Sequence, residues 1–86
     1  MTDRTINLDI HAFAAAADAM GRREHTLNVT SGATVSDAWL ALVKACPELK
    51  TLEDTIAFAC NDRLVTRQAK LEDGDTLALL PPVSGG

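Results

Sequence analysis

Asp73-Gly74-Asp75-Thr76-Leu77-Ala78-Leu79-Leu80-Pro81-Pro82-Val83-Ser84-Gly85-Gly86 is the stretch on which the fold turns. Asp-Gly-Asp has the composition of a tight turn. Thr76 to Leu80 is almost wholly apolar, the pattern of a strand covered on both faces, so it is expected at the centre of a sheet. Pro81 and Pro82 end that strand, since neither offers an amide to the ladder. Beyond them the chain tapers to two glycines, with no Cβ beside the last carboxylate.

Upstream, Ile6, Leu8 and Ile10 alternate with Asn7, Asp9 and His11, which predicts a strand with one buried face. Ala12 to Met20 places Phe13, Ala16, Ala17 and Met20 at helical spacing and stops at Gly21, which predicts a short helix. Thr26 to Thr30 alternates again and pairs with the first strand as a hairpin with a long connection. Thr34 and Asp37 form a capping box ahead of Val35, Ala38, Trp39, Leu42, Val43 and Cys46, the apolar face of the main helix, which Pro47 ends. Pro47 to Thr55 reads as a loop or loosely helical connection. Ile56 to Cys60 is a strand with Ile56, Phe58 and Cys60 on one face, Asn61-Asp62 a turn, and Leu64-Val65 a short return strand. One amphipathic helix laid on a mixed sheet buries a face of each, so the expected class is α+β, with residues 1–80 folded and 81–86 an extended tail.

Composition narrows the function. With 86 residues there is one small core, and it is aliphatic, because the chain has two Phe, one Trp and no Tyr. A net charge of −4 with no basic run beyond Arg22-Arg23 speaks against nucleic acid and suits a protein partner with a basic face. No apolar run approaches the ~20 residues of a membrane span, and the N-terminus lacks a signal core, so no membrane partner and a cytoplasmic location are expected. Cys46 and Cys60 form no CxxC motif and read as packing residues, and two cysteines are too few for an iron–sulfur cluster. His11 and His25 lack metal-ligand spacing, Glu53-Asp54 and Glu72-Asp73 read as solvated acids, and Ala12 to Ala17 reads as small-residue packing.

Glycines at a terminus are by themselves a weak signal; their fourteen-residue context is a stronger one. That context resembles the C-terminal signature of the small subunits of molybdopterin synthase, sulfur carriers of the ubiquitin-like β-grasp class. The similarity extends more weakly to Ala59-Cys60-Asn61, the first strand and the capped helix at Thr34. It implies a β-grasp sheet whose first and last strands are parallel and adjacent at the centre. It also implies that an adenylating, E1-like enzyme spends ATP to activate the Gly86 carboxylate, and that a sulfur donor protein then converts it to a thiocarboxylate. Inserted into the large synthase subunit, this group would supply sulfur for the dithiolene of molybdopterin. Family members often carry Phe at the positions of Leu79 and Leu80, and an Arg-containing segment where this chain has Ala14 to Asp18.

On this reading Gly86 carries the reacting acyl group, Gly85 provides clearance, and Leu79, Leu80, Pro81, Pro82, Val83 and Ser84 form the partner-binding stalk. The chain itself binds no cofactor or metal, and acid–base groups belong to its partners. Two alternatives stay open. The carrier serves a related pathway (thiamine, cysteine or tRNA thiolation), or the domain is a β-grasp interaction module with an inert tail.

Overall fold

The computed structural model describes residues 4–82. Val83, Ser84, Gly85 and Gly86, where part of the expected site falls, lie outside the described residues. In chain order the elements are β1 (Thr5–Ala12), α1 (Ala14–Met20), β2 (Glu24–Thr30), α2 (Val35–Ala45), a 3-10 helix (Pro47–Leu52), β3 (Ala57–Cys60), β4 (Arg63–Val65) and β5 (Thr76–Leu80). The five strands form one mixed sheet in the order β2-β1-β5-β3-β4. β1 and β5 are parallel neighbours, and every other pairing is antiparallel. This is the expected ubiquitin-like β-grasp, α+β in class, with the first and last strands side by side.

Alternation along β1 decides which face is covered. Ile6, Leu8, Ile10 and Ala12 are buried while Thr5, Asn7 and Asp9 are exposed. Register carries this partition across the sheet, because directly opposed residues share a face. Ile10 and Ala12 stand beside Leu77 and Leu79 of β5, and Leu79 stands beside Phe58 of β3. Val35, Ala38, Trp39 and Leu42 of α2 close this layer.

Helix α2 begins where the sequence places it. Thr34 Oγ1 accepts from the Asp37 amide at 3.3 Å, and the Asp37 carboxylate accepts from the Thr34 amide at 3.0 Å, completing the capping box. The Val35 and Ser36 amides donate to the carbonyls of Ala69 and Arg67, each at 2.9 Å. The connection between β4 and β5 thereby satisfies the helix amides that have no partner within the helix.

Three expectations are corrected. β5 is central but covered on one face only: Leu77 and Leu79 are buried, whereas Thr76, Ala78 and Leu80 are half-buried. The single helical layer lies on one side, so the apolar run serves a surface as well as the core. Phe13 does not join the apolar face of α1; it caps that helix in an extended conformation and is 50% exposed. The loosely helical alternative for the Pro47–Thr55 connection holds, as a 3-10 helix over Pro47–Leu52 that buries Leu49. Finally, Glu53 is not a free solvated acid. It accepts from the Trp39 indole N–H at 2.6 Å and from Arg67 at 2.9 Å, while Arg67 also donates to the Glu53 carbonyl.

That cluster resolves the one polar problem of the core. Trp39 is fully buried and meets Phe58 edge-on, with ring centroids 5.6 Å apart, so its indole N–H needs an acceptor. Glu53 supplies it, and the Arg67 guanidinium lies 5.9 Å from the Trp39 ring and 5.3 Å from the Phe58 ring. The indole bond, aided by Arg67, holds the Glu53 carboxyl below its ordinary value.

Truncating Trp39 to Ala is expected to cost about 3–5 kcal/mol in urea unfolding, through the cavity it leaves. Glu53 contributes differently: its lowered pKa means that its stabilisation is present above the ordinary value of 4.5 and is lost as pH falls through the folded-state value. The urea midpoints of wild type and Glu53→Gln should therefore differ at pH 7 and converge progressively below pH 4.5.

Candidate functional site: the root of the tail and the open face of the sheet

The turn Asp73-Gly74-Asp75 is the hub that aims β5. The Asp73 carboxylate accepts from the Asn7 amide at 2.7 Å, and the Gly74 amide donates to the Asn7 carbonyl at 2.8 Å. Gly74 adopts φ 87, a conformation that a side chain would strain. Asp75 accepts from the Glu72 amide at 2.8 Å and from the Asn61 side chain at 2.9 Å, while Asn61 in turn accepts from the Thr76 amide at 3.0 Å. Asn61 and Asp62 both have positive φ, the backbone of a two-residue hairpin turn between β3 and β4. The start of β5 is thus tied to β1 on one side and to the β3–β4 turn on the other. From there β5 runs down the middle of the sheet to Leu80, and Pro81 and Pro82 follow.

Among the described residues no helix covers the face opposite α2, and its central row can be read from the register. Glu24 opposes His11, His11 opposes Ala78, Ala78 opposes Ala59, and Ala59 opposes Leu64. The next row pairs Leu80 with Ala57. The result is a floor of small side chains at the tail's root, bounded by Leu64, which is 77% exposed, and at the other end by the polar pair His11 and Glu24. Phe13 joins His11, Arg23 and Glu24 around a shallow cavity of about 330 Å³. The left-handed φ of 51 at Ala14 turns the chain sharply between β1 and α1 beside that exposed ring.

Not every expected stalk residue is free to meet a partner. Leu79 points into the core with no exposure, so its side chain is removed from the contact set. Leu80 points to the open face and is half-buried, Pro81 is half-buried, and Pro82 is exposed. Sequence reasoning missed Leu64 and Phe13 as surface residues. The signal lay in parity: Leu64 opposes Ala59 rather than Phe58, and Phe13 continues the exposed phase of β1.

Cys60, which the resemblance includes, is half-buried. Burial pushes its thiol up to about 11, with the Asp75 charge and a hydrogen bond to Asp75 adding to the effect. Burial also raises the Asp75 carboxyl, but the bonds from Glu72, Asn61 and Cys60 outweigh it and leave that group below its ordinary value. A thiol so disposed is a packing group rather than a nucleophile. Among the described residues no cluster of three or more His, Cys, Asp or Glu is placed to hold a metal, and no helix is long and apolar enough to cross a membrane.

Comparison with known proteins gives this geometry a context. The ThiS family model matches residues 10–86. The chain belongs to the ThiS family. It is a ubiquitin-like sulfur carrier, a carrier subunit rather than an enzyme. It is 37% identical over 76 residues to the molybdopterin synthase sulfur carrier subunit of Chlamydomonas reinhardtii, spanning 86% of this chain and 92% of that one. The crystal structure of small archaeal modifier protein 1 from Haloferax volcanii superposes with a TM-score of 0.85 at 36% identity, covering 93% of this chain and 99% of that one. A chain from the complex of subunits 1 and 2 of the molybdopterin-converting factor of Helicobacter pylori shares the fold, with a TM-score of 0.66 at 24% identity over 94% of this chain and 100% of that one.

Because burial and the neighbouring Asp75 push the Cys60 thiol up to about 11, the carrier's Cys60 should alkylate slowly with iodoacetamide. Asp75→Asn should accelerate it several-fold, as followed by peptide mass spectrometry.

Proposed function

We propose that this chain is the sulfur-carrier subunit of a molybdopterin synthase, with the Gly86 carboxylate as the group that is charged. The single observation that carries the reading is the course of β5. A central strand held at its start on both flanks runs into Pro81-Pro82 beside Ala57, Ala59 and Ala78 of the open face, and so offers a partner a fixed floor at the point where the sequence goes on to Gly86. The likeness to the Chlamydomonas carrier subunit supports the choice of pathway.

The chemistry follows from what a carboxylate lacks. Its oxygen is a poor leaving group, so the adenylating enzyme joins the Gly86 carboxylate to the α-phosphate of ATP and releases pyrophosphate. Hydrosulfide delivered by a donor protein then attacks the acyl carbon, the bond from that carbon to the AMP oxygen breaks, AMP departs with the bonding pair, and loss of the remaining proton leaves a thiocarboxylate. Gly85 and Gly86 present no Cβ to a narrow channel, Ser84 offers a hydrogen bond, and Pro81 and Pro82 reduce the entropy lost on threading. Within the large subunit, the thiocarboxylate sulfur is transferred to cyclic pyranopterin monophosphate to build the dithiolene. The subunit-1 and subunit-2 complex of the Helicobacter pylori factor is the precedent for such a partner. Leu80, Leu64, Phe13 and the alanine floor form the docking surface in this reading. ATP is consumed by the partner, and the reaction takes place in the cytoplasm.

A second reading is favoured by the likeness to small archaeal modifier protein 1. There the activated Gly86 acyl group is passed to an amine of a target protein and forms an amide, with loss of AMP. Both readings share adenylation and part at the acceptor.

Intact mass spectrometry after incubation with ATP, a cognate adenylating enzyme and a sulfur source should show one sulfur replacing one oxygen at Gly86. Deletion of Gly85-Gly86 should abolish the change while circular dichroism stays unaltered, and Leu64→Asp should slow it at least tenfold without unfolding the domain. Conjugates of higher mass with no thiocarboxylate would favour the modifier reading; no change with several cognate enzymes would sink both.

A further inference from the structure

The outer edge of β2 is an unused row of hydrogen-bonding groups. β2 lies at one end of the sheet, and among the described residues no strand pairs with its far side. Two bonds fix its parity: the Ala12 amide donates to the Arg23 carbonyl at 2.8 Å and the Ser31 amide to the Arg4 carbonyl at 2.7 Å. In an antiparallel ladder such pairs alternate, so the odd-numbered residues of β2 bond to β1. Glu24, Thr26, Asn28 and Thr30 therefore direct their N–H and C=O groups outward. Solitary edges are ordinarily protected by Pro, Lys, a bulge or a very short strand. β2 spans seven residues with no Pro, Lys or Gly among them, whereas the opposite edge strand β4 has only three residues, beginning with Arg63.

We propose that this edge pairs antiparallel with the same edge of a second copy of the chain, about a two-fold axis at Leu27. The self-complementarity of the strand selects that occupant. In the register centred on Leu27, Thr26 meets Asn28 and Glu24 meets Thr30, so the four outward-facing residues of each copy all find partners. No like charges are opposed, because Glu24 is the only carboxylate or ammonium-type charge on the strand. On the core side Leu27 meets Leu27, and the half-buried Val29 meets the half-buried His25 of the other copy. A groove of about 430 Å³ between β2 and α2, lined by Val29, Ala33, Asp37 and Ala41, leaves room for that imidazole beside the Asp37 carboxylate. β5 takes no part in the contact, and of the open face only its β2 margin, the side chains of Glu24, Thr26, Asn28 and Thr30, is engaged. The two copies of β5 then run in opposite directions, and each tail root stays accessible to its own partner.

The area joined is that of one strand edge, so the dimer is weak, with half-association expected in the range of roughly 10 μM to 1 mM. Sedimentation equilibrium of the full chain over that range, with amide exchange by NMR, reads it directly. Concentration-dependent protection should appear at the Thr26, Asn28 and Thr30 amides. Thr30→Glu sets a carboxylate against Glu24 of the other copy, twice per dimer by symmetry, and should weaken association at least about tenfold; adding Glu24→Lys to that variant should restore it. Both positions are exposed and leave the core untouched. A chain that stays monomeric at the highest concentration, a dimer indifferent to these substitutions, or protection mapping to Leu64 and Phe13 would overturn the proposal. So would protection of the β2 amides by a different protein while the chain itself remains monomeric.

Discussion

The parallel pairing of β1 with β5 is the constraint on which the rest of the molecule depends. It joins Asp9–Ala12 to Thr76–Leu79, residues from opposite ends of the chain, and closing so long a loop costs entropy before any contact repays it. Repayment comes from Ile10, Ala12, Leu77 and Leu79, all buried on the α2 side of that pair. The same pairing gives β5 two neighbours, which holds its end at Leu80 in place on both sides. A terminal strand at a sheet edge would have had only one.

Two polar arrangements hold this pairing to a single register. At the entrance to β5, Asp73, Asp75 and Asn61 bind backbone amides of β1, the turn and β5 itself, so sliding by one residue would break several bonds together. At the other side of the core, Trp39 reaches Glu53, and Arg67 ties Glu53 to the aromatic pair. This second cluster joins the main helix, the end of the 3-10 helix and the β4–β5 connection. It lets the chain bury its only Trp without orphaning the indole donor.

A carrier of this kind divides labour between its faces. The face under α2 is closed and aliphatic and provides stability. The open face is polar over β1 and β2 and carries Ala57, Ala59 and Ala78 around the end of β5. Its flanks differ in chemistry, with Leu64 at one side and His11, Glu24 and Arg23 around Phe13 at the other. An apolar and a polar border are thereby distinguished on one face, and on the proposed docking reading they could not be exchanged without cost.

Much of this was legible from the chain alone. Period-two alternation in Ile6–Ile10, the box at Thr34 and Asp37, the stop at Gly21 and the Asn61-Asp62 turn are local signals, decided by backbone and side chains within a few residues, and each has its element in the fold. The taper from Pro81 to Gly86 is likewise a property of covalent sequence. What sequence could not decide depended on distant neighbours. Leu77 to Leu80 are alike in hydropathy, yet Leu79 is core and Leu80 surface because the pleat alternates and only one side carries a helix. Glu53 looked like a solvated acid until Trp39 and Arg67 were brought to it from fourteen residues away on either side. Phe13 and Leu64 read as ordinary apolar residues, and only strand parity and register put them on the open face. Local periodicity therefore determined which elements form, whereas the pairing of chain ends determined which of their side chains are left for a partner to touch.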